Sequence, residues 1–492
     1  MVFDRWETIR VNLNKKESYE SISIDYDFKK SIPLDMDDFN KMYTSDEWNH
    51  HIYSLILQDY SFVDLIKKKN KTNFSFRDNK EKKRKLQYFI KFTVYNLYLN
   101  LIKLFRAQSS PLFINTYLNL FNLFKLCFRF KQFPIIANMV KPKFGNVNMK
   151  AREWIVEGKC NNDFETFLRN IIPKQIPISY LENYKSILNQ ANKTKWPNKP
   201  KLIFTSNNHE SDDIFKIYAA EKVFNGSKLI IGQHGGNYGT AKFNFAEDHE
   251  IKISDYFFSW GWDDNNTKIK KVGFLKQLKY KPTSEKNKNV FLVTATVPRY
   301  SYWIYSIIIS SQWESYLKDQ FTFVEKLDKK IQNHLKVRLH PKDYDWFQFE
   351  RWSKKFPKID IDKGKNPIIN ELSSCKIFIS TYNATTFLES IVSNIPTIIY
   401  WNPYYWELRN SAIPYFEKLR EVGIFHESPE SAANFLNKIW NDIDSWWNSS
   451  EVKNALVLFK KQYCDDSGNI VDKIEFSLRQ IMQEKIYENY KV

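Results

Sequence analysis

The sequence "LIIGQHGGNYG" places an imidazole among glycines at the end of an apolar, strand-like run. A histidine there can take a proton from an incoming hydroxyl, and glycines let backbone amides approach a ligand closely. An unperturbed imidazole titrates near about pH 6.5 and is mostly neutral in the cytoplasm. We therefore predict that His234 is a general base, although a tight turn with a structurally bonded histidine stays open. The residues beside it are predicted to face the acceptor substrate: Gln233, Gly235, Gly236 and Asn237.

Two further polar loops occur in the second half of the chain. "RLHPKDYDW" contains Arg338, His340 and Pro341 at the end of an apolar run, where arginine and histidine suit a phosphate or diphosphate leaving group. The small-residue turn "TATVP" contains Thr294 and Thr296, and its amides could face a phosphate. Each signal is weak when taken alone, and a plain loop explains the turn equally well.

The stretch "STYNATTFLES" combines hydroxyl side chains with a predicted helix start, directly after the apolar run "KIFI". Hydroxyl groups and the free amides of a helix N-terminus together can bind an anion. A carboxylate one turn further along could reach a ribose. The alternative is that Thr385 only caps the helix. The residues of this stretch predicted to contact the donor are Ser380, Thr381, Asn383, Thr385, Thr386 and Glu389.

The apolar runs between these loops predict the scaffold that positions them. Strand-like and helix-like stretches alternate over 199–284 and again over 285–430, which is typical of parallel sheets. Ligands of such sheets bind beyond the carboxyl ends of the strands. We therefore predict an α/β fold with two Rossmann-like domains facing a cleft. We expect a helical N-terminal region at 1–198 that faces the acceptor or a membrane, and helices at 431–492 that pack back across the domains.

No pattern typical of a metal or ATP site is present in the sequence. D-x-D triplets occur at 343–345 and 360–362, but a chain with 56 acidic residues contains such triplets by chance. The sequence has neither a Walker loop nor a G-x-G-x-x-G motif. We therefore predict chemistry without a metal ion or a resident cofactor.

Composition indicates the partners and the compartment. The 492 residues carry a formal net charge of +18, which suits an anionic substrate or a membrane surface. Nucleic acid is not an expected partner, because no nucleic-acid-binding motif stands out and the basic residues are spread widely. Four widely spaced cysteines and a charged N-terminal stretch predict a reduced, cytoplasmic protein without a signal peptide.

Two segments rich in aromatic and basic residues, 86–108 and 112–133, flank the breaker "SSP". They are predicted to form a helical hairpin. Two core helices are the ordinary interpretation. The alternative is an interfacial element that rests on an anionic leaflet, which would make the protein peripheral at the inner face of the cytoplasmic membrane.

Several stretches resemble GT-B glycosyltransferases of the bacterial capsule and teichoic-acid group. That group pairs a histidine-glycine motif in its first domain with His-Pro and Ser/Thr motifs in its second. "FDRWETI", "GQHGGNYG", "ISDYFFSWGW", "YNATTFLESIVSNIPTIIYWNPYYWELR" and "GIFHESPESAANFLNKIW" are similar to stretches of a transferase family encoded in bacterial surface-carbohydrate gene clusters. In that family the "DRW" stretch lies well inside the chain, so the first strands of the usual N-terminal domain are expected to be missing here.

The resemblance implies a metal-independent glycosyltransferase whose second domain binds a nucleotide-activated sugar as co-substrate. It would move the sugar to a surface-polysaccharide or lipid-linked acceptor on the side of the first domain, with His234 as the base. Arg338 and His340 resemble donor-phosphate ligands, and Glu389 resembles the ribose contact. The Ser/Thr motif resembles one that lies near the phosphate. Relatives with these motifs often use cytidine-linked donors, so a CMP-linked nonulosonic or ulosonic acid is the expected donor.

Two other functions stay open on the sequence. A polyol-phosphate transferase of the CDP-glycerol kind would form a phosphodiester instead of a glycosidic bond. A non-catalytic scaffold that binds carbohydrate or membrane would keep the fold without turnover. If His234 proves structural, Glu247 and Glu250 are the next candidates for the base.

Overall fold

The protein has an α/β architecture with two separate parallel sheets and a smaller N-terminal region. No helix of the part described is long and apolar enough to cross a membrane. The computed structural model describes residues 1–14, 17–25, 27–60, 63–69, 93, 95, 97–103, 107–135, 142, 144–276, 289–300, 304–372 and 375–484.

The N-terminal region, predicted to be helical, also contains a parallel two-stranded sheet, β1 with β2. Trp6, Met42, Trp48 and Ile52 form the centre of its own small core. In chain order its helices and strands are α1 (Val2–Asn12), β1 (Tyr19–Asp25), α2 (Met36–Met42), α3 (Asp46–Leu57) and β2 (Val63–Lys69).

The first Rossmann-like sheet contains five parallel strands in the order β3–β4–β5–β6–β7. Helices lie between successive strands of this sheet, except between β6 and β7. The elements are β3 (Leu112–Phe113), α4 (Leu120–Arg129), α5 (Asp163–Gln175), α6 (Tyr184–Asn192), β4 (Leu202–Thr205), α7 (Asn208–Ser211), α8 (Asp213–Phe224), β5 (Lys228–Gly232), α9 (Phe245–Ile253), β6 (Tyr256–Ser259) and β7 (Ile269–Lys271).

The segment 112–133 is not one helix of a hairpin, so that prediction was wrong. Its first two residues, Leu112 and Phe113, are buried and form the edge strand of the sheet through pairing with β4. Asn119 then caps α4, because its side chain accepts a hydrogen bond from Asn122 N. A strand of two residues is too short to produce a periodic signal in the sequence. Most of the companion segment 86–108 lies outside the described residues.

The second sheet contains six parallel strands in the order β10–β9–β8–β11–β12–β13. This confirms the predicted α/β class with two Rossmann-like sheets. The elements are β8 (Asn289–Val293), α10 (Trp313–Lys326), α11 (Lys329–Gln332), β9 (Leu335–Arg338), α12 (Gln348–Lys355), β10 (Asp360–Asp362), α13 (Ile368–Leu372), β11 (Cys375–Ser380), α14 (Thr385–Val392), β12 (Thr397–Tyr400), α15 (Ile413–Glu421) and β13 (Phe425–His426).

The C-terminal helices return from the second sheet to the first. After α18, Asp465 N donates to Trp260 O at 2.9 Å, and Phe274 N donates to Asp465 O at 2.8 Å. Gly261 has φ +151°, and a Cβ atom there would lie 2.5 Å from the Lys461 carbonyl oxygen. The helices are α16 (Pro429–Ile439), α17 (Ile443–Asn448), α18 (Ser450–Tyr463) and α19 (Ile470–Gln483).

An ion-pair cluster centred on Arg409 joins the two Rossmann-like domains. Its guanidinium lies 2.6 Å from Glu247 Oε1 and 2.6 Å from Asp264 Oδ2, and its Nε donates to Ala241 O at 3.0 Å. The other Glu247 oxygen accepts a bond from Gly239 N at 2.7 Å. Burial raises the pKa of Glu247 to about 6, although Arg409 acts to lower it. This carboxylate therefore depends on Arg409 to stay ionised in the interior.

Arg409→Met should lower the free energy of unfolding by roughly 3–5 kcal/mol, because it leaves Glu247 buried without its counter-charge. The folded-state pKa of Glu247 is already above its ordinary value, so ionising this group costs stability as the pH rises. The loss should therefore be larger at pH 8 than at pH 5, where Glu247 can be protonated. Urea denaturation at both pH values measures it.

Arg420→Met is the matched control, because Arg420 lies on the surface in ion pairs with Glu417 and Glu427. Its loss should be about 0–1 kcal/mol. An Arg409→Met loss that is the same at both pH values would contradict the assigned role of Glu247.

Candidate functional site

A cavity of about 1500 Å³ lies where the N-terminal region and the two Rossmann-like domains meet. Tyr43 contributes from the N-terminal region, Glu210 and His234 from the first domain, and Thr296 and His340 from the second. These last four residues follow the carboxyl ends of β4, β5, β8 and β9. Parallel α/β sheets bind their ligands at these ends, so this cavity is the candidate active site.

Gln233 is buried and does not line the cavity, in contrast to its predicted contact with the acceptor. Its Oε1 accepts bonds from Trp260 N and Trp262 Nε1, both at 2.9 Å. Its Nε2 donates to Gly235 O at 2.9 Å. Gln233 therefore fixes the direction in which the chain leaves β5. A polar residue at a strand end looks the same in the sequence whether it binds a ligand or supports a loop.

Gly236 is one of the points at which the two Rossmann-like domains touch. Its backbone N donates to Thr385 Oγ1 at 3.1 Å, across 149 positions of sequence. A Cβ atom on Gly236 would lie 2.5 Å from the carbonyl carbon of Ala384 and 2.6 Å from Thr385 N. Close by, Asn383 Nδ2 donates to Thr240 Oγ1 at 3.1 Å. The histidine-glycine and Ser/Thr motifs are therefore in direct contact, and Gly236 and Thr385 hold the domains together instead of facing separate substrates.

The other two residues of the histidine-glycine motif, Gly235 and Asn237, do line the cavity. A Cβ atom on Gly235 would lie 2.9 Å from the ring of Tyr238. The tight packing at this glycine is thus against a neighbouring side chain of the same loop. Contact of Gly235 and Asn237 with an acceptor stays a prediction that their position allows.

The imidazole of His234 lies between two carboxylates. Its Nε2 is 3.0 Å from Glu210 Oε1, and its Nδ1 is 3.7 Å from Glu250 Oε1. Burial lowers the pKa of His234, but the hydrogen bond to Glu210 and the charges of both glutamates outweigh it, so the pKa is raised. His234 therefore holds its second proton at a higher pH than the ordinary histidine assumed from the sequence.

Glu250 supports the imidazole from the buried side. It is 1% exposed, and its Oε1 accepts a bond from the Tyr238 hydroxyl at 3.0 Å. The same oxygen lies 3.2 Å from His209 Nε2. Of the two glutamates named as alternative bases, Glu250 thus belongs to the His234 cluster, and Glu247 belongs to the ion pair with Arg409.

Arg338 is held within its own domain. Its Nη1 donates to Asp362 Oδ2 at 2.7 Å, and its Nη2 donates to the carbonyl oxygens of Gly364, at 3.3 Å, and Asn366. The residue is 8% exposed and is absent from the cavity wall. In this structure Arg338 orients the loop after β10, and the phosphate contact predicted for it is not supported. His340, two residues later, is exposed and does line the cavity.

The hydroxyl groups predicted to face phosphate mostly bond within the second domain. There are two exceptions. Thr385 Oγ1 accepts a bond from Gly236 N of the first domain. Thr296 lines the cavity, and its Oγ1 is buried without a hydrogen-bond partner among the residues described. The other hydroxyls fix the strand ends: Thr294 donates to Arg338 O, Thr381 to Val293 O, Ser380 to Tyr382 O and Thr386 to the Tyr382 hydroxyl.

The start of α14 has no side-chain cap. Its N-cap residue is Ala384, which lines the cavity. Thr385 does not cap the helix, so the alternative interpretation of this residue was wrong. Glu389 is 1% exposed and lies 2.6 Å from Lys276 of the first domain. It is outside the cavity wall and forms an ion pair between domains, so the ribose contact stays a prediction that this position does not support.

The sequence matches the model of the LIC12162 family transferase over residues 1–478. The chain belongs to this family. The predicted class of enzyme, a transferase, is thereby confirmed. A search of curated protein sequences gave no match to this LIC12162 family member.

Three solved structures share a remote likeness with this LIC12162 family member. The wall teichoic acid polymerase TagF has a TM-score of 0.38 and 10% identity, over 81% of this chain and 96% of that chain. MurG of Acinetobacter baumannii has a TM-score of 0.33 and 11% identity, over 57% and 78%. WaaG, a glycosyltransferase involved in lipopolysaccharide biosynthesis, has a TM-score of 0.29 and 10% identity, over 67% and 86%. Likeness at this level says nothing about the substrate.

Two cavity residues that could bind or react with a substrate, Glu210 and Lys342, were not predicted from the sequence. Glu210 lies on the four-residue helix α7, in a stretch, "SNNHESDD", whose many polar residues look equivalent. Lys342 lies just after the His-Pro pair and lines the cavity. Among the described residues, Glu210 also forms a group with His209 and Glu250 whose ligand atoms lie within 4.8 Å of one another. Chemistry without a metal ion therefore stays a prediction.

Gly236→Ala should separate the two motifs, because the added methyl group would meet backbone atoms that cannot rotate away. We expect a loss of roughly 1–3 kcal/mol in stability, typical of overpacking, and a larger radius of gyration. Calorimetry and small-angle X-ray scattering measure the two effects.

Gly145→Ala is the control for this substitution. A Cβ atom on Gly145 would meet one side-chain oxygen, of Asn183, at 3.3 Å. It should leave both measurements close to those of the unmodified protein. If Gly236→Ala did the same, the contact between Gly236 and α14 would not hold the domains together.

Proposed function

We propose that this LIC12162 family member is a glycosyltransferase of the GT-B type. It transfers a sugar from a nucleotide-activated donor to a surface-polysaccharide or lipid-linked acceptor. The observation that carries this proposal is the cavity at the carboxyl ends of both sheets, with the acid–base cluster of His234 on one wall. Membership of a transferase family supports the same class of reaction.

The donor is assigned to the side of the cavity formed by the second domain. His340 and Lys342 can bind phosphate oxygens, and Thr296 lines the same space. The uncapped start of α14 at Ala384 adds the positive end of a helix dipole. A nucleotide phosphate suits this combination of a cation, hydroxyl and amide groups better than a neutral sugar does.

The donor we propose is a CMP-linked nonulosonic or ulosonic acid, on the strength of the motifs in the second domain. Transfer of a polyol phosphate from CDP-glycerol is the alternative. Both reactions release CMP, but the first forms a glycosidic bond and the second a phosphodiester. Mass spectrometry of the product therefore separates them.

CMP and CDP should raise the melting temperature more than UDP and GDP, without magnesium. A nucleotide at 100 times its dissociation constant stabilises a protein by about 2.7 kcal/mol, which a thermal-shift assay detects easily. His340→Ala and Lys342→Ala should each weaken this binding by roughly 1–3 kcal/mol, since each removes a polar or charged contact.

Lys358→Ala is the matched control for Lys342→Ala, because Lys358 is exposed in the same domain and away from the cavity wall. It should bind nucleotide normally. Equal stabilisation by all four nucleotides, or an absolute need for magnesium, would count against the proposed donor. Unchanged nucleotide affinity in both cavity variants would refute the assigned phosphate site.

We also propose that the segment around α4 binds the anionic inner leaflet of the cytoplasmic membrane. From residue 82 to residue 152 the sequence contains 14 Lys and Arg residues and no Asp or Glu. Phe121 and Phe128 on α4 are 53% and 61% exposed, and Lys125 lies between them with its Nζ 4.4 Å from the Phe121 ring centroid. Exposed aromatic side chains in a stretch with many basic residues and no acidic ones suit an anionic leaflet.

The position of α4 relates this surface to the cavity. Tyr117 lies three residues before α4 begins, and its ring centroid is 6.0 Å from that of His234. A membrane in contact with α4 would therefore lie close to the acceptor side of the cavity. This arrangement supports an acceptor that is anchored in the membrane.

The double variant Phe121→Ser/Phe128→Ser should reduce binding to anionic liposomes, because it removes the apolar groups that enter the leaflet. Binding of the unmodified protein should weaken with added salt, since each basic residue contributes only about 1 kcal/mol near such a surface. Flotation with phosphatidylglycerol vesicles measures both effects. Phe224→Ser is the control, because Phe224 is 91% exposed at the end of α8. Equal binding to neutral and anionic vesicles would disprove the proposed surface.

A further inference from the structure

The carboxylate of Glu210, and not a ring nitrogen of His234, is the more accessible basic group of the cluster. The side chain of Glu210 is 45% exposed, whereas that of His234 is 17% exposed. The Nε2 atom of His234 is engaged with Glu210 Oε1 at 3.0 Å. Its Nδ1 faces the buried side, 3.7 Å from Glu250 Oε1. A hydroxyl that enters the cavity therefore meets Glu210 before it meets a free nitrogen of the imidazole.

We propose that Glu210 is a further catalytic residue, which accepts the proton of the acceptor hydroxyl. This inference rests on the glycosyl transfer proposed above. His234 then acts as a protonated partner that orients the Glu210 carboxylate, and Glu250 acts as a positioning residue behind the imidazole. The base predicted at His234 thus becomes a pair, in which the imidazole supports a carboxylate.

The transfer step balances with these groups alone. The acceptor oxygen forms a bond to the anomeric carbon of the donor while the bond from that carbon to the phosphate oxygen breaks. The electron pair of the broken bond leaves with the nucleotide phosphate. The proton of the acceptor hydroxyl moves to a carboxylate oxygen of Glu210, from which it later passes to solvent. Water can replace the acceptor hydroxyl in the same step, which makes donor hydrolysis a usable assay.

The charges around Glu210 keep it ionised. Burial raises the pKa of Glu210, but the hydrogen bond from His234 and the charges of His234, His209 and Lys216 outweigh it and lower the pKa. Further titratable groups among the described residues that interact with this cluster are Glu250, Tyr43, Tyr117, Tyr238 and Tyr305. The four tyrosines have raised pKa values and stay neutral. An ionised Glu210 is therefore ready to accept a proton at cytoplasmic pH.

The test compares Glu210→Gln, His234→Ala and Glu221→Gln in the full chain. The assay measures CMP release from CMP-N-acetylneuraminic acid and from CDP-glycerol, with water as the acceptor. Glu210→Gln should lower the rate by about 10²–10⁴-fold, the usual effect of losing a general base, and should leave CMP affinity unchanged. Glu221→Gln is the matched control on α8, outside the cavity wall, and should keep the unmodified rate.

Two further readouts separate a catalytic from a structural role. Formate should partly restore CMP release in Glu210→Ala, because it can replace the missing carboxylate. In Glu210→Gln the imidazole pKa of His234, measured by NMR titration, should fall, since a partner that raises it is gone. Failure of formate to restore activity, together with an unchanged His234 pKa, would overturn the proposal.

Other outcomes distinguish this proposal from a base at His234, from a metal site and from a different donor. A Glu210→Gln rate within about threefold of the unmodified rate, with His234→Ala inactive, would return the base to His234. Turnover that requires Mn²⁺, with Mn²⁺ binding lost in Glu210→Gln, would overturn the proposal in favour of a metal site with His209 and Glu250. No CMP release by the unmodified chain from either donor would refute the proposed donors, and the transfer role of Glu210 with them. The NMR titration would still test the pair of Glu210 and His234.

Discussion

The backbone contact between Gly236 and the start of α14 is the constraint on which the site depends. At this point the first domain comes so close to Ala384 and Thr385 that a Cβ atom has no room. The hydrogen bond from Gly236 N to Thr385 Oγ1 and the one from Asn383 to Thr240 join the same two loops. Because His234 is two residues before Gly236, this contact sets the distance between the acid–base cluster and the second domain.

Three ion pairs reinforce the same arrangement. Arg409 reaches from the second domain to Glu247 and Asp264, and Lys276 reaches from the first domain to Glu389. Both glutamates are buried, so each depends on its cation to stay ionised. The polar residues of the motifs thus divide into two groups. One group holds the domains and strand ends in place, and the other faces the cavity.

The cavity itself is chemically asymmetric. On the first domain, His234 lies between Glu210 and Glu250, a group suited to moving a proton. On the second domain, His340 and Lys342 are suited to phosphate. A reaction that takes a proton from one substrate and releases a phosphate-bearing group from the other needs this separation. The N-terminal region closes a third side, with Tyr43 in the wall.

The sequence alone determined the α/β class, the two parallel sheets and the position of most strands, because apolar periodicity is a local property of the chain. It also showed that His234 and the Ser/Thr motif lie at strand ends. It did not show β3 or β13, which are two residues long and have no period to detect. The edge strand β3 is recognised only by its pairing with β4.

Only the tertiary structure decided what each polar residue does. Gln233, Arg338 and Glu389 have the chemistry of ligand-binding residues, but their partners are Trp260, Asp362 and Lys276, which are distant in sequence. No sequence pattern distinguished Glu210 from the polar residues around it. It lies against His234 because the end of β4 is next to the end of β5. A side chain is committed to the scaffold or left facing the cavity by contacts between separate parts of the chain, and local sequence does not contain those contacts.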